Sequence, residues 1–443
     1  MLAHFFAICA FGLVPFVCAA QRVTPLSTSP AHFFAICALG LVPFVCAAQR
    51  VTPLSTSPEW ERLDRFQETM THDDFVSLLD SVYAPQHEAC ILVASNDATI
   101  LENATNHFVL RFAESPEMRR PIPRYWTSVT DLKRDWQKPL SGLKIALDPG
   151  HLGGQWAKME ERWFQIGSSM PVSEGDLTLR VAQLLAPRLR DLGADAVFVR
   201  SKPGPVTNLR PAELKTQAIA SLLDRGVVNI LPSYSGPADP NKELSIDWEA
   251  EKLFYRIGEI HARARIVNEQ MKPDLVLCLH FNAEPWGNPA APTLVKANHL
   301  HLLVNGAYSS AELAYDDERF AMLIKLLNQV YSEELGCAEA LSRSIAIATG
   351  LPPYTYTTPN ARRVGSSGYV WARNLLANRL YECPVVYIEP YVMNNEEVFA
   401  RIQAGEYDGV RNFGGVMHQN IYDEYVTGVV NGLVEYCTAN RGK

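Results

Sequence analysis

The stretch Leu143-Lys-Ile-Ala-Leu-Asp-Pro-Gly-His151 joins a short apolar run to a polar turn. Further apolar runs follow it along the chain, and amphipathic stretches long enough for helices lie between them. These runs are Ala196–Val199, Leu275–Leu279, Leu300–Val304 and Val385–Ile388. This alternation is typical of an α/β domain.

Three of the apolar runs lead directly into polar residues. Leu147 is followed by Asp148-Pro-Gly-His151, Leu279 by His280, and Ile388 by Glu389. Ligand sites of open α/β sheets lie at the carboxyl ends of the strands, so we expect these residues to converge. Glu174 joins them, because it lies just before an amphipathic helix, after the loop 167–173, and can point back over the sheet edge.

These residues have the chemistry of a hydrolytic metal site. Two imidazoles and one carboxylate are a known ligand set for a catalytic zinc, with a water in the remaining position. Zinc lowers the pKa of that water to around 7, and a nearby carboxylate can move its proton to a leaving amine. Taken singly, each histidine fits a structural role, and Glu174 fits a helix-start carboxylate stabilised by the dipole.

Four segments of the chain, in this order, resemble the signature motifs of the zinc-dependent N-acetylmuramoyl-L-alanine amidases of the AmiC/CwlM-like class. These are bacterial enzymes that cut peptide stems from peptidoglycan. The segments are Ile145–Gly154, Ser173–Ala182, Pro273–Ala283 and Cys383–Asn395. The similarity extends over roughly residues 141–440.

The resemblance implies a fold, a reaction and a role for each site residue. It implies a twisted, mostly parallel sheet flanked by helices, and hydrolysis of the amide between N-acetylmuramic acid and L-alanine. It makes His151, Glu174 and His280 the ligands of one zinc ion, and Glu389 the catalytic acid and base.

The chain departs from the family pattern in two ways. Pro390-Tyr391 stands where the family has a small or glycine-containing turn, which affects the geometry beside Glu389. Insertions near 207–255 and 310–350 exceed what a minimal member needs, and they could shape the substrate groove or occlude it.

Other polar residues near the motifs have a structural and a functional interpretation. We expect Asp148 to orient His151 as a supporting carboxylate. Asn282 is either a donor to a developing oxyanion or a turn-forming residue. His299 and His301 share a face of one strand, which fits a structural role, a substrate contact or metal ligation.

Alternative functions stay open at this point. A zinc peptidase or carboxypeptidase would use the same ligands on a different amide of the cell wall. A degenerate amidase would bind peptidoglycan without cutting it. Serine hydrolase and nucleotide-dependent chemistry are disfavoured, because the motifs G-x-S-x-G, G-x-x-x-x-G-K-[ST] and G-x-G-x-x-G are absent.

The beginning of the chain contains a direct repeat. Residues 31–58 repeat residues 3–30 with one change, Phe11 to Leu39, and each copy has an apolar run followed by Cys-Ala-Ala-Gln. This pattern resembles a secretory signal peptide. We therefore predict a signal peptide over 1–20, a duplicated signal-like segment and linker over 21–58, and an exported protein that is periplasmic or cell-wall associated. No stable membrane span is expected after cleavage.

The segment 59–140 precedes the α/β domain at 141–443 and has a different pattern. Helical spacing near its start and two short strand-like runs predict a small α+β unit. We find no chemistry-bearing motif in it, and its expected role is structural or binding.

Composition excludes several classes of protein. The chain has 443 residues, 47% of them hydrophobic and 20% charged, which is ordinary globular usage. A net charge of −8 argues against a nucleic-acid binder. Five cysteines lie beyond residue 58 without a C-x-x-C pair, so we expect buried thiols, with one disulfide as the alternative.

Overall fold

The computed structural model describes residues 50–103 and 105–442. The signal peptide predicted for 1–20 lies outside the described residues, as does most of the segment 21–58. Residues 50–58 are described, and the backbone N–H of Thr52 donates to Asp317 Oδ1 at 2.9 Å. In the described part of the chain, no helix is both long and apolar enough to cross a bilayer.

The strands, in chain order, are β1 (Ile91–Val93), β2 (Asp97–Leu101), β3 (His107–Arg111), β4 (Lys144–Pro149), β5 (Trp163–Phe164), β6 (Val172–Ser173), β7 (Asp195–Phe198), β8 (Leu275–Leu279), β9 (Leu300–Val304), β10 (Arg362–Arg363), β11 (Val370–Ala372), β12 (Val385–Pro390), β13 (Arg411–Phe413) and β14 (Val416–His418). The α-helices are α1 (His72–Leu78), α2 (Glu174–Asp191), α3 (Lys215–Asp224), α4 (Ile246–Lys252), α5 (Glu259–Arg265), α6 (Ser310–Leu313), α7 (Asp316–Leu327), α8 (Tyr331–Thr349), α9 (Leu376–Leu380), α10 (Glu396–Gln403) and α11 (Ile421–Asn440). Short 3₁₀ and π-helical turns connect several of them.

The main sheet has seven strands in the order β10-β11-β9-β12-β8-β4-β7. Strands β12, β8, β4 and β7 are parallel to one another, whereas β9 runs antiparallel to β12. This mixed, mostly parallel sheet confirms the predicted fold class. Since β4, β8 and β12 end at one edge, the residues that follow them meet there.

Helices cover both faces of the sheet, which is why its central strands are apolar throughout. All five residues of β8 are buried. Leu277 and Leu279 face the side covered by α2, α8 and α11, whereas Val276 and Cys278 face α5 and α9. The two helical layers hold the strand ends in fixed positions.

The predicted small unit is a three-stranded antiparallel sheet, β1-β2-β3, with short helical segments. Its buried side chains belong to the same hydrophobic cluster as those of the main sheet. The Trp60 ring packs edge-on against Phe320 at 5.4 Å, and Tyr83 O accepts a hydrogen bond from Tyr308 N at 2.7 Å. The unit therefore completes the core of the larger domain.

The two predicted insertions differ in their packing. Residues 207–255 include α3 and α4, which form a separate apolar cluster with Leu152. Residues 310–350 form α6, α7 and α8, and α8 packs along α11 and against β9. The second segment is therefore a layer of the main body rather than an addition to it.

Candidate metal centre and catalytic carboxylate

His151 lies two residues beyond β4, in the left-handed backbone region with φ of 56°. This conformation is uncommon for a residue with a Cβ and marks a position constrained by its surroundings. Gly150 permits the close packing beside it, because a Cβ there would lie 2.2 Å from His280 Cε1. The Asp-Pro-Gly-His sequence thus brings one imidazole against the other.

Glu174 is the first residue of α2, and its side chain is buried. Its Oε2 lies 3.4 Å from His151 Nε2, and its Oε1 lies 3.2 Å from His280 Nδ1. One donor atom from each of the three residues lies within 4.8 Å of the other two. This donor set fits a divalent metal ion with nitrogen and oxygen ligands.

His280 follows β8 and is held on several sides. Its ring stacks on Tyr387 at 5.1 Å, and its backbone N–H donates to Ile388 O at 3.0 Å. The Tyr425 hydroxyl donates to His280 O at 3.2 Å. These contacts leave Nδ1 directed at Glu174.

Glu389 lies in β12 beside this triad, with its Oε1 4.0 Å from His280 Nδ1. The structure therefore brings His151, Glu174, His280 and Glu389 together, although they span 239 positions of sequence. Parallel pairing of β12 with β8 and of β8 with β4 produces this convergence.

Burial and neighbouring charges shift the pKa values at the site. Burial raises the pKa of Glu389, His280 opposes the rise and the Glu174 carboxylate adds to it, and together they bring this pKa to about 7. Burial lowers the pKa of His151 well below its ordinary value, so this imidazole is neutral and can act as a ligand. Although burial raises the pKa of Glu174, His151 and His280 lower it below its ordinary value.

The carboxylate that orients His151 is Glu160, and the prediction of Asp148 in this role is wrong. Glu160 Oε2 lies 3.2 Å from His151 Nδ1 and accepts the Leu152 N–H at 2.8 Å. This contact leaves His151 Nε2 free to face Glu174. Glu160 lies in a loop without periodicity, so no sequence signal marked it.

Asp148 instead forms a buried ion pair with Arg263. Arg263 Nη1 donates to Asp148 Oδ1 at 2.8 Å and to Pro149 O at 2.8 Å, and Nη2 donates to His151 O at 3.3 Å. The Tyr381 hydroxyl donates to Asp148 Oδ2 at 2.6 Å. Asp148 therefore supports the backbone of the His151 turn through Arg263.

Tyr391 occupies the position where the resemblance led us to expect a glycine-containing turn. Its φ is 61°, and its side chain is fully buried. The hydroxyl donates to Glu424 Oε2 at 2.9 Å, and the ring stacks on Phe281 at 5.9 Å. Packing thus holds a large residue in a conformation that favours glycine, directly after β12.

The remaining candidates lie beside the triad without joining its donor cluster. His301 pairs with Glu389 in the register of β9 and β12, and its Nε2 lies 3.0 Å from the Tyr356 hydroxyl. His299 Nε2 lies 3.4 Å from Glu284 Oε1. Asn282 Oδ1 accepts the Ala283 N–H at 2.7 Å, which is a turn-forming role.

The cysteines among the described residues are all unpaired and buried, at positions 90, 278, 337, 383 and 437. This agrees with the interpretation of these thiols as small apolar side chains. The described part of the chain holds no disulfide.

No protein-family model matches this sequence, and no curated protein matches it. Solved structures do match it. The N-acetylmuramyl-L-alanine amidase Ami1 from Mycobacterium abscessus is 18% identical and covers 67% of this chain and 99% of its own, with a TM-score of 0.36. The CwlD amidase from Clostridioides difficile, in complex with the GerS lipoprotein, is 12% identical, with 67% and 100% coverage and a TM-score of 0.37.

The N-acetylmuramoyl-L-alanine amidase AmiC2 of Nostoc punctiforme is 14% identical, with 67% and 98% coverage and a TM-score of 0.35. This chain is similar to these amidases.

Proposed function

We propose that this protein is an exported zinc amidase that hydrolyses the bond between N-acetylmuramic acid and L-alanine in peptidoglycan. The observation that supports hydrolysis is the convergence of His151, Glu174 and His280 with Glu389 at one sheet edge. The resemblance of four sequence segments to the zinc amidases favours this amide over others.

In the proposed reaction, His151, Glu174 and His280 would hold the zinc. When bound, zinc supplies a Lewis acid that activates water and polarises the amide carbonyl. Glu389 takes the proton of the attacking water on a carboxylate oxygen. It then delivers that proton to the amide nitrogen as the bond to carbon breaks, which yields the lactyl carboxylate of the sugar and the free amine of alanine.

The surroundings of Glu389 suit both steps. Its pKa, raised to about 7 by burial, lies near neutral pH, where a carboxyl group can accept and donate a proton with similar ease. Glu389 pairs with His301 in the register of β12 and β9, and its Oε1 lies 4.0 Å from His280 Nδ1.

The test is mass spectrometry of purified peptidoglycan digested by zinc-loaded protein beginning at Gln49. Wild-type protein should release stem peptides that begin at L-alanine, and Glu389→Gln should release none. Glu406→Gln, which changes an exposed carboxylate paired with Arg180, is the matched control and should retain full activity.

Other outcomes point to other functions. Cleavage restricted to cross-links or terminal residues of the stem would replace the amidase with a zinc peptidase. Stoichiometric zinc binding without any release would indicate a binding-only protein.

A further inference from the structure

Arg162 places a cation at the rim of the site, and the proposed reaction does not use it. Its Nε lies 3.8 Å from Glu174 Oε2, and its side chain is 38% exposed. Among the described residues, no hydrogen-bond acceptor is paired with its Nη groups. The Nη groups therefore carry N–H donors that no protein acceptor occupies, next to a proposed zinc ligand.

The backbone around Arg162 is held in a fixed and unusual conformation. Glu161 has φ of 56°, and Lys242 Nζ pairs with Glu161 Oε1 at 2.5 Å. Arg162 O accepts the Glu174 N–H at 3.1 Å, and its own N–H donates to Ala157 O at 3.0 Å. A residue other than glycine adopts the left-handed backbone conformation only where its surroundings stabilise it, and such residues cluster at functional sites.

Arg162 is the cation of its loop that lies against a proposed zinc ligand, through the contact of its Nε with Glu174 Oε2 at 3.8 Å. Lys158, on the same loop, does not take part, because its Nζ lies over the Trp163 ring at 4.2 Å. Arg162 is thus the cation of this loop that adjoins the proposed zinc ligands.

We propose that Arg162 is a specificity-determining residue that binds a carboxylate of the substrate's peptide close to the scissile amide. This inference rests on the proposed function, since it concerns the same site. The N–H groups of a guanidinium can bind the two oxygens of a carboxylate side by side, which a carboxamide does not replace. The site should therefore prefer a free acid to its amide at that position.

The test measures binding, so that it does not depend on turnover. The probes are N-acetylmuramoyl-L-alanyl-γ-D-glutamyl-L-lysine with the glutamyl α-carboxyl either free or converted to a carboxamide. Calorimetric titration uses zinc-loaded Glu389→Gln protein beginning at Gln49. The free acid should bind at least tenfold more tightly than the carboxamide, because a hydrogen bond to a charged group contributes affinity of about that size.

Added substitutions in the Glu389→Gln background identify the residue responsible. Arg162→Gln should bring the ratio of the two affinities to about one. Arg162→Lys should leave an intermediate ratio, because lysine keeps the positive charge but lacks the paired N–H donors of the guanidinium. Lys158→Gln is the matched control and should leave the ratio unchanged. Zinc content measured on each variant separates this effect from loss of the metal.

Equal affinities in the parent protein, or a preference that persists in Arg162→Gln, would overturn the assignment. A preference that depends on Arg162, in a protein whose wild type does not cleave peptidoglycan, would support the carboxylate site and refute the amidase. Cleavage of both peptides by wild type at equal kcat/KM, with equal affinities, would refute the carboxylate site alone.

Discussion

At the scale of single residues, the contact between Glu160 and His151 sets the orientation of the imidazole ring and the nitrogen that faces Glu174. Glu160 Oε2 binds His151 Nδ1 and Leu152 N, so it fixes both the ring and the loop that bears it. Removing such a supporting carboxylate typically lowers metal affinity by 10–100-fold. We expect this loss, of about that size, in Glu160→Gln.

Chelator competition with a zinc-sensitive dye measures the change. Glu161→Gln is the matched control, because Glu161 is adjacent in sequence and pairs with Lys242 rather than with a ligand. Unchanged zinc affinity in Glu160→Gln would show that His151 is oriented by the backbone alone.

The sequence predicted that the four residues of the candidate site converge, and it missed the carboxylate that supports them. His151, His280 and Glu389 follow apolar runs that become neighbouring strands, so their meeting is a consequence of strand order. Glu160 and Arg162 lie in an irregular loop, where neither periodicity nor position in a strand predicts where a side chain lies. Only the path of that loop, which pairs with Glu174 and Leu152, brings them to the site.

At the scale of elements, a buried ion pair joins α7 and α8 to the start of β12. Lys325 Nζ donates to Glu334 Oε1 at 2.6 Å and to Cys383 O at 2.7 Å, and both side chains are fully buried. Lys325→Met would leave the Glu334 charge buried without its partner. A loss of about 3–5 kcal/mol in the free energy of unfolding is expected.

This loss should depend on pH. Burial raises the pKa of Glu334 even in the native pair, and removing Lys325 raises it further. A carboxyl group with a raised pKa is most favourable to folding when it is protonated, so the cost grows as pH rises. Urea unfolding should therefore show a larger deficit at pH 8 than at pH 5, and Lys325→Met/Glu334→Leu should recover much of it. A deficit independent of pH would contradict this account.

The contact between α8 and α11 depends on two glycines with no room for a side chain. A Cβ at Gly432 would lie 2.7 Å from Leu341 Cα, and one at Gly428 would lie 2.8 Å from Ile345 Cα. Backbone atoms cannot move aside, so Gly432→Ala forces the helices apart.

Overpacking of this kind costs about 1–3 kcal/mol, which exceeds the gain of roughly 1 kcal/mol in helix propensity from alanine. Thermal unfolding should show a lower Tm for Gly432→Ala. Asn431→Ala, at the exposed neighbouring position, is the control and should change the Tm little. A raised Tm in Gly432→Ala would mean that the helices separate at no cost.

The sequence predicted the strands and helices better than it predicted which of them pack against each other. Apolar runs marked β4, β8, β9 and β12, because strands buried on both faces need such runs. The sequence predicts an insertion near 310–350, where α7 and α8 lie, because the spacing of apolar residues alone does not reveal which surface a helix covers. The pairing of α8 with α11 joins residues about 90 positions apart, and it is decided by shape at Gly428 and Gly432.

At the scale of the whole molecule, the small antiparallel unit and the main sheet share one core. Trp60 packs on Phe320, while Val82 O and Tyr83 O accept backbone hydrogen bonds from Ala307 and Tyr308. Because these contacts cross the predicted boundary at residue 140, neither part buries its apolar face alone. We therefore expect the zinc-free protein to unfold in a single calorimetric transition.

A substitution inside the small unit tests this coupling. Phe75 is fully buried there, and Phe75→Ala should cost about 3–5 kcal/mol. If the core is shared, the entire transition moves to lower temperature with its single shape retained. Val109→Ala, at a position of β3 that is 37% exposed, is the control and should change the free energy of unfolding by only about 0.5 kcal/mol. An early separate transition in Phe75→Ala, with the main one unmoved, would show instead that residues 59–140 unfold as an independent domain.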